Sequence, residues 1–213
     1  MSTSYNQLAG RSVERLAALS DGVFAVAMTL LVLDLHAPAL EAIHSERDLW
    51  IALAALGPRL LLYAMSFLTL GIFWVGQQTQ LNHLSHSDRS LSWIHLAFLF
   101  GVSLTPFSTS LLAQFSGYRI ALLEYWANIL LLGAALFFSW ICATGAGLVK
   151  GDLPAGAVDA IRRRILIAQA FYAGGALLCV VSTYASIGFI VAVQLYYAIA
   201  PRLQGRGRGK REE

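Results

Sequence analysis

The chain has 213 residues, of which 57% are hydrophobic and 13% charged; its mean hydropathy is +0.63 and its formal net charge +3. This composition excludes an ordinary water-soluble domain and makes a bilayer the solvent. The charge is too small and too localised at the C-terminal end to suggest nucleic acid as a partner.

A spanning helix needs about 20 mainly apolar residues. Windows of that kind predict six membrane helices, at about 13–35, 49–77, 90–113, 120–148, 161–181 and 185–201. They make one all-α membrane domain over residues 1–201, followed by a basic, glycine-rich tail at 202–213 that is too polar to pack and reads as disordered and cytoplasmic.

The first span opens with Arg15 and Ser20-Asp21, continues through Gly22-Val23-Phe24-Ala25, and closes on Asp34. Ionised groups at membrane depth are costly and usually face a bundle interior, a partner or water, so this span is a candidate lining for an ion path. Its polar first ten residues and the Ser20-Asp21 interruption do not suit a signal peptide, so the span is expected to remain in the mature protein. At 100° per residue Ser20, Phe24 and Ala27 share one face, and Val26, Thr29 and Leu33 share another. The second stripe reads either as a packing face, with Thr29 bonded to a carbonyl one turn back, or as the lining of a pore formed by several copies of the helix.

The second span is interrupted by Gly57-Pro58-Arg59, where the proline is expected to kink the helix and Arg59 must find a partner or snorkel. Between the second and third spans, His83, His86 and Asp88 offer three candidate metal ligands, a set more typical of a solvated loop. Cys142 and Cys179 fall inside spans four and five, with no metal-ligand spacing around them. The last two spans are separated only by Ser182-Thr183-Tyr184, which allows a tight hairpin or one broken helix. With both termini inside, the inner segments hold Arg11, Arg15, Arg89, Lys150, Arg162, Arg163, Arg164 and the basic tail, against Arg47 and Arg119 outside. The positive-inside rule favours that orientation. No GxSxG, HExxH, Walker A or GxGxxG pattern occurs, which weakens an enzyme reading.

Arg15-x-x-x-Leu19-Ser20-Asp21, with Gly22-Val23-Phe24-Ala25 and Thr29-Leu30-Leu31-Val32-Leu33-Asp34, resembles the first-helix signature of the transmembrane protein 175 family of lysosomal and prokaryotic potassium channels. Ser66-Phe67 with Gly71-Ile72-Phe73-Trp74 resembles the end of that family's second helix, and Pro106-Phe107 the pair closing its third. Leu19 departs from the family's phenylalanine, and Gln77 and His95 stand where a histidine and an asparagine are usual.

The resemblance implies a homotetrameric, weakly potassium-selective cation channel of the plasma membrane, with four first helices around the pore and no re-entrant loop. It makes Val26 the inner aliphatic constriction, Thr29 the hydroxyl layer and Leu33 the next ring. Arg15, Ser20, Asp21, Trp74, Gln77 and His95 become a motif and gating network, which His95 can make pH-sensitive. Asp34, near the outer end of the span, reads either as a charge that concentrates cations at the outer mouth or as an ordinary interfacial carboxylate. Potassium is the cargo, and no cofactor or resident metal is implied. Two other classes compete: a carrier or proton pathway through Asp21, His95 and Arg59, and an intramembrane enzyme using His83, His86 and Asp88.

Overall fold

A computed structural model describes residues 12–40, 43–154 and 156–208, with side chains to residue 199. Arg11 and residues 209–213 of the basic tail lie outside it. The protein is a helical bundle. Its first helix, α1 (Val13–Leu30), is capped by Ser12, whose hydroxyl accepts the Arg15 backbone N–H at 3.2 Å. It tightens into a 3-10 turn over Leu31–Asp34.

The segment expected as one kinked helix at 49–77 is instead two helices, α2 (Glu46–Ala55) and α3 (Gly57–Asn82), separated at Leu56. Pro58 lies in the first turn of α3, where its missing N–H leaves no helical bond unmade, so the chain breaks before the proline and continues after it as one helix. None of the residues of α2 is buried. Helix α4 (Arg89–Gln114) starts on Asp88, which accepts the Leu91 N–H at 2.7 Å, and carries Pro106 in its interior, so that proline does not end the helix. Helices α5 (Arg119–Gly145), α6 (Ala157–Leu177) and α7 (Thr183–Arg208) complete the bundle. The last helix takes in the start of the tail that the sequence reading set apart from residue 202. Extending a helix that already exists needs no new nucleus.

Among the described residues, five segments are long and apolar enough to cross a membrane: Val13–Asp34, Gly57–Asn82, Arg89–Gln114, Arg119–Gly145 and Ala157–Val180. The apolar stretch Thr183–Ile199 is shorter. This is a multi-pass membrane protein.

Between α6 and α7 the chain passes through a 3-10 turn, Leu178–Val180, and folds back as a hairpin. The hydroxyl of Ser186 donates to the Gly175 carbonyl, and a Cβ on Gly175 would stand 3.0 Å from both Phe189 and Ile190. Gly133 permits a still closer approach, because a Cβ there would overlap the Gln169 side chain at 1.8 Å. Small residues therefore set two of the helix contacts within one chain.

At the end where α3 and α5 finish, two connections are tied together. The Ser85 N–H donates to Leu148 O at 2.8 Å and the Lys150 N–H to His83 O at 2.9 Å, around a small core of Leu81, Leu84, Leu91, Ala143 and Leu148. This fixes the level at which α3 and α4 meet the start of α1.

Candidate functional site

Helix α1 is two-faced. Ser20, Phe24, Ala27 and Leu31 are buried, and Phe24 packs on Phe98 of α4 with ring centroids 5.9 Å apart. On the other side Val26 is 57% and Leu33 66% exposed, with Thr29 also exposed between them. Leu19, Gly22 and Leu30 extend that open side into a shallow apolar groove that reaches Ser103 of α4. The Thr29 hydroxyl lies 3.0 Å from Ala25 O and 2.8 Å from Val26 O, so its hydrogen is spent on its own helix and its oxygen lone pairs remain free to face outward.

The buried face is held by a polar knot. Gln77 Nε2 of α3 lies 2.6 Å from Ser20 Oγ and 2.7 Å from His95 Nε2 of α4, and Ser20 Oγ lies 2.7 Å from the same imidazole nitrogen. All three residues are buried, and Ser20 Oγ also lies 2.8 Å from Leu16 O, to which it can donate. With the amide in this orientation the two hydrogens on Gln77 Nε2 can serve both neighbours; His95 Nε2 is then the acceptor and Nδ1 carries the ring proton. A second ring proton would set donor against donor. The opposite amide atom, Gln77 Oε1, has no partner.

One residue along, Asp21 Oδ1 accepts from Trp74 Nε1 at 2.7 Å and from Gln78 Nε2 at 2.9 Å. The sequence reading singled out Trp74 and missed Gln78. The signal was available, since positions 74 and 78 are one turn apart and share a face of α3. Arg15 is exposed and has no carboxylate of the described residues in ion-pair range. Asp21 lies six residues further on, away from its side of the helix, and is already served by the two α3 donors.

Asp34 is anchored at the other end of α1 by Ser110 Oγ of α4 at 3.0 Å, and it shares a pocket of about 250 Å³ with His36, Arg59 and Gln114. Arg59 is thereby separated from Gln77, the α3 member of the knot, by 18 residues of helix, about 27 Å. The trio Asp21, His95 and Arg59 is not assembled as one relay. Nor do His83, His86 and Asp88 converge: His83 Nδ1 bonds to Thr79 O, His86 Nδ1 to Ser85 Oγ, and Asp88 caps α4.

The family model described as endosomal/lysosomal potassium channel TMEM175 matches residues 15–106, the stretch containing most of α1, all of α2 and α3, and most of α4. Over 190 residues the chain is 30% identical to a protein of Chamaesiphon minutus named a potassium channel, covering 87% of this chain and 93% of that one. The chain belongs to the TMEM175 family. A potassium channel of Streptomyces collinus is 39% identical over 101 residues, a match that takes in 47% of this chain and about half, 48%, of that relative. The crystal structure of a lysosomal potassium-selective channel TMEM175 homologue from Chamaesiphon minutus superposes with a TM-score of 0.77 at 26% identity, covering 88% of this chain and 97% of that one. TMEM175 proteins are a channel family and not an enzyme family.

Proposed function

We propose that this TMEM175 chain is a potassium-permeable cation channel of the bacterial cell membrane, a homotetramer of six-crossing subunits with four copies of α1 around the conduction path. Both termini lie on the side of the basic segments, and no re-entrant loop builds the filter. The observation that carries the reading is the bare stripe on α1. Val26, Thr29 and Leu33 stay open to the outside of the single chain, while the opposite face of the same helix is locked into the bundle. An apolar stripe on one transmembrane helix equally suits lipid, and what favours a pore is Thr29. Its outward oxygen lone pairs would be wasted against acyl chains but suit a partly dehydrated cation.

In this arrangement Val26 forms the inner constriction, which closes by dewetting and opens with a small widening. Valine is short for that place, so a somewhat leaky constriction follows. Thr29 oxygens replace part of the hydration shell, at less cost for potassium than for sodium, and discriminate weakly. The knot of Ser20, Gln77 and His95 and the Asp21 contacts with Trp74 and Gln78 set the tilt of α1, and Asp34 concentrates cations at the outer mouth.

The decisive experiment reconstitutes purified protein and records reversal potentials in opposed potassium and sodium gradients, for wild type and Thr29→Ala. Discrete currents with a potassium-leaning reversal potential that moves toward zero preference in the variant are expected. An unchanged preference removes Thr29 from the filter, and saturable, coupled flux replaces the channel by a carrier.

A further inference from the structure

A cleft of about 240 Å³ opens between α3 and α6, two helices that each pack on α5 and α7 and make little contact with one another. It lies on the side of α3 away from α1 and plays no part in the proposed conduction path. Helix α6 lines it with Ile161, Arg164, Ile165, Ala168, Gln169 and Tyr172, a stripe at spacings of three and four that runs about 17 Å along the helix.

The trough is mainly apolar, yet one feature is out of balance. At the end near the start of α6, the exposed Arg164 guanidinium sits over the Tyr197 ring, 5.9 Å from its centroid, with no carboxylate of the described residues in ion-pair range, whereas the neighbouring Arg162 pairs with Asp159 at 3.9 Å.

We infer that this cleft binds one anionic phospholipid of the surrounding bilayer, with its phosphate against Arg164 and an acyl chain along the α6 stripe. Charge complementarity selects the headgroup, because a zwitterionic lipid brings a cation of its own to the side of the Arg162-Arg163-Arg164 cluster. The inference does not depend on the protein conducting ions.

Native mass spectrometry of the full-length protein in detergent, with phosphatidylglycerol and phosphatidylcholine of identical acyl chains, tests it. Wild type retains phosphatidylglycerol in preference. Arg164→Gln lowers that retention roughly fivefold, the equivalent of ~1 kcal/mol for one basic side chain near the membrane surface. Arg162→Gln leaves retention near wild type. Ala168→Phe, which fills the trough, removes both lipids while helical content stays constant by circular dichroism. If Arg164→Gln does not accumulate as folded protein, Ala168→Phe decides alone. Equal retention of the two lipids, no effect of either substitution, or displacement of phosphatidylglycerol by inorganic phosphate each overturns the inference. So does a change of oligomeric mass in Ala168→Phe with lipid retained, which would give the cleft to a second copy of this chain.

Discussion

Two buried polar clusters hold this bundle, and they differ in what they grip. The knot at Ser20, Gln77 and His95 joins α1 to α3 and α4 through one hydroxyl, one amide and one imidazole. The second cluster centres on Tyr125 of α5. Its hydroxyl meets Ser66 Oγ at 3.2 Å and Thr69 Oγ1 at 3.0 Å, Thr109 Oγ1 of α4 donates to Ser66 Oγ at 2.7 Å, and Gln194 Nε2 of α7 donates to Thr69 Oγ1 at 2.6 Å. That cluster spans α3, α4, α5 and α7 and leaves α1 out. The contrast separates a cross-braced scaffold from a helix attached along one face, a suitable arrangement for an element that must shift against a frame to open a path.

The sharpest way to break the comparison is Tyr125→Ala. It removes a side chain 1% exposed and takes a partner from two hydroxyls, Ser66 and Thr69, so a loss of about 3 kcal/mol is expected in denaturation from detergent, with α1 and the scaffold failing together. Ser20→Ala comes next. Interhelical hydrogen bonds in membranes are worth about 0.6–1.7 kcal/mol, and the loss should be coupled to His95→Leu, so that the double variant costs less than the sum of the singles. Additive costs would mean that the three residues do not act as one knot. Smaller again is Trp74→Phe, which keeps the ring and loses the donor to Asp21. Global stability should fall by roughly 0.5 kcal/mol, because the pair is exposed and Gln78 still serves the carboxylate, while the open probability in single-channel records changes. Thr29→Ala should have the least effect on stability, within about 0.5 kcal/mol, since its side chain supports only its own helix. Its expected effect on ion preference makes it the cleanest separation of function from folding.

Much of the site was legible because helical periodicity is local. Ser20, Phe24 and Ala27 are assigned to one face from spacing alone, and the structure buries them while leaving Val26, Thr29 and Leu33 open. Trp74, Gln77 and His95 follow from their likeness to family positions. Their bonding pattern does not, because it depends on the relative height of three helices that the tied connections at Ser85 and Lys150 establish. The break at Leu56 was misread as a kink because a proline signal marks a boundary without saying on which side of it the helix starts. The Tyr125 cluster escaped notice altogether. Lone serines and threonines within apolar runs carry no periodic signal, and each became meaningful only when placed beside a partner more than forty residues away.

Hydropathy and charge placement, summed residue by residue, determined by themselves that this chain is a helical membrane protein, roughly where its helices lie and which side of α1 is apolar and which carries Ser20. Only the tertiary structure decided which of those sides is covered, that Asp21 serves Trp74 and Gln78, and that α3 and α6 stand apart around a cleft. Burial and hydrogen bonding are properties of neighbours remote in the chain, and no local pattern specifies them.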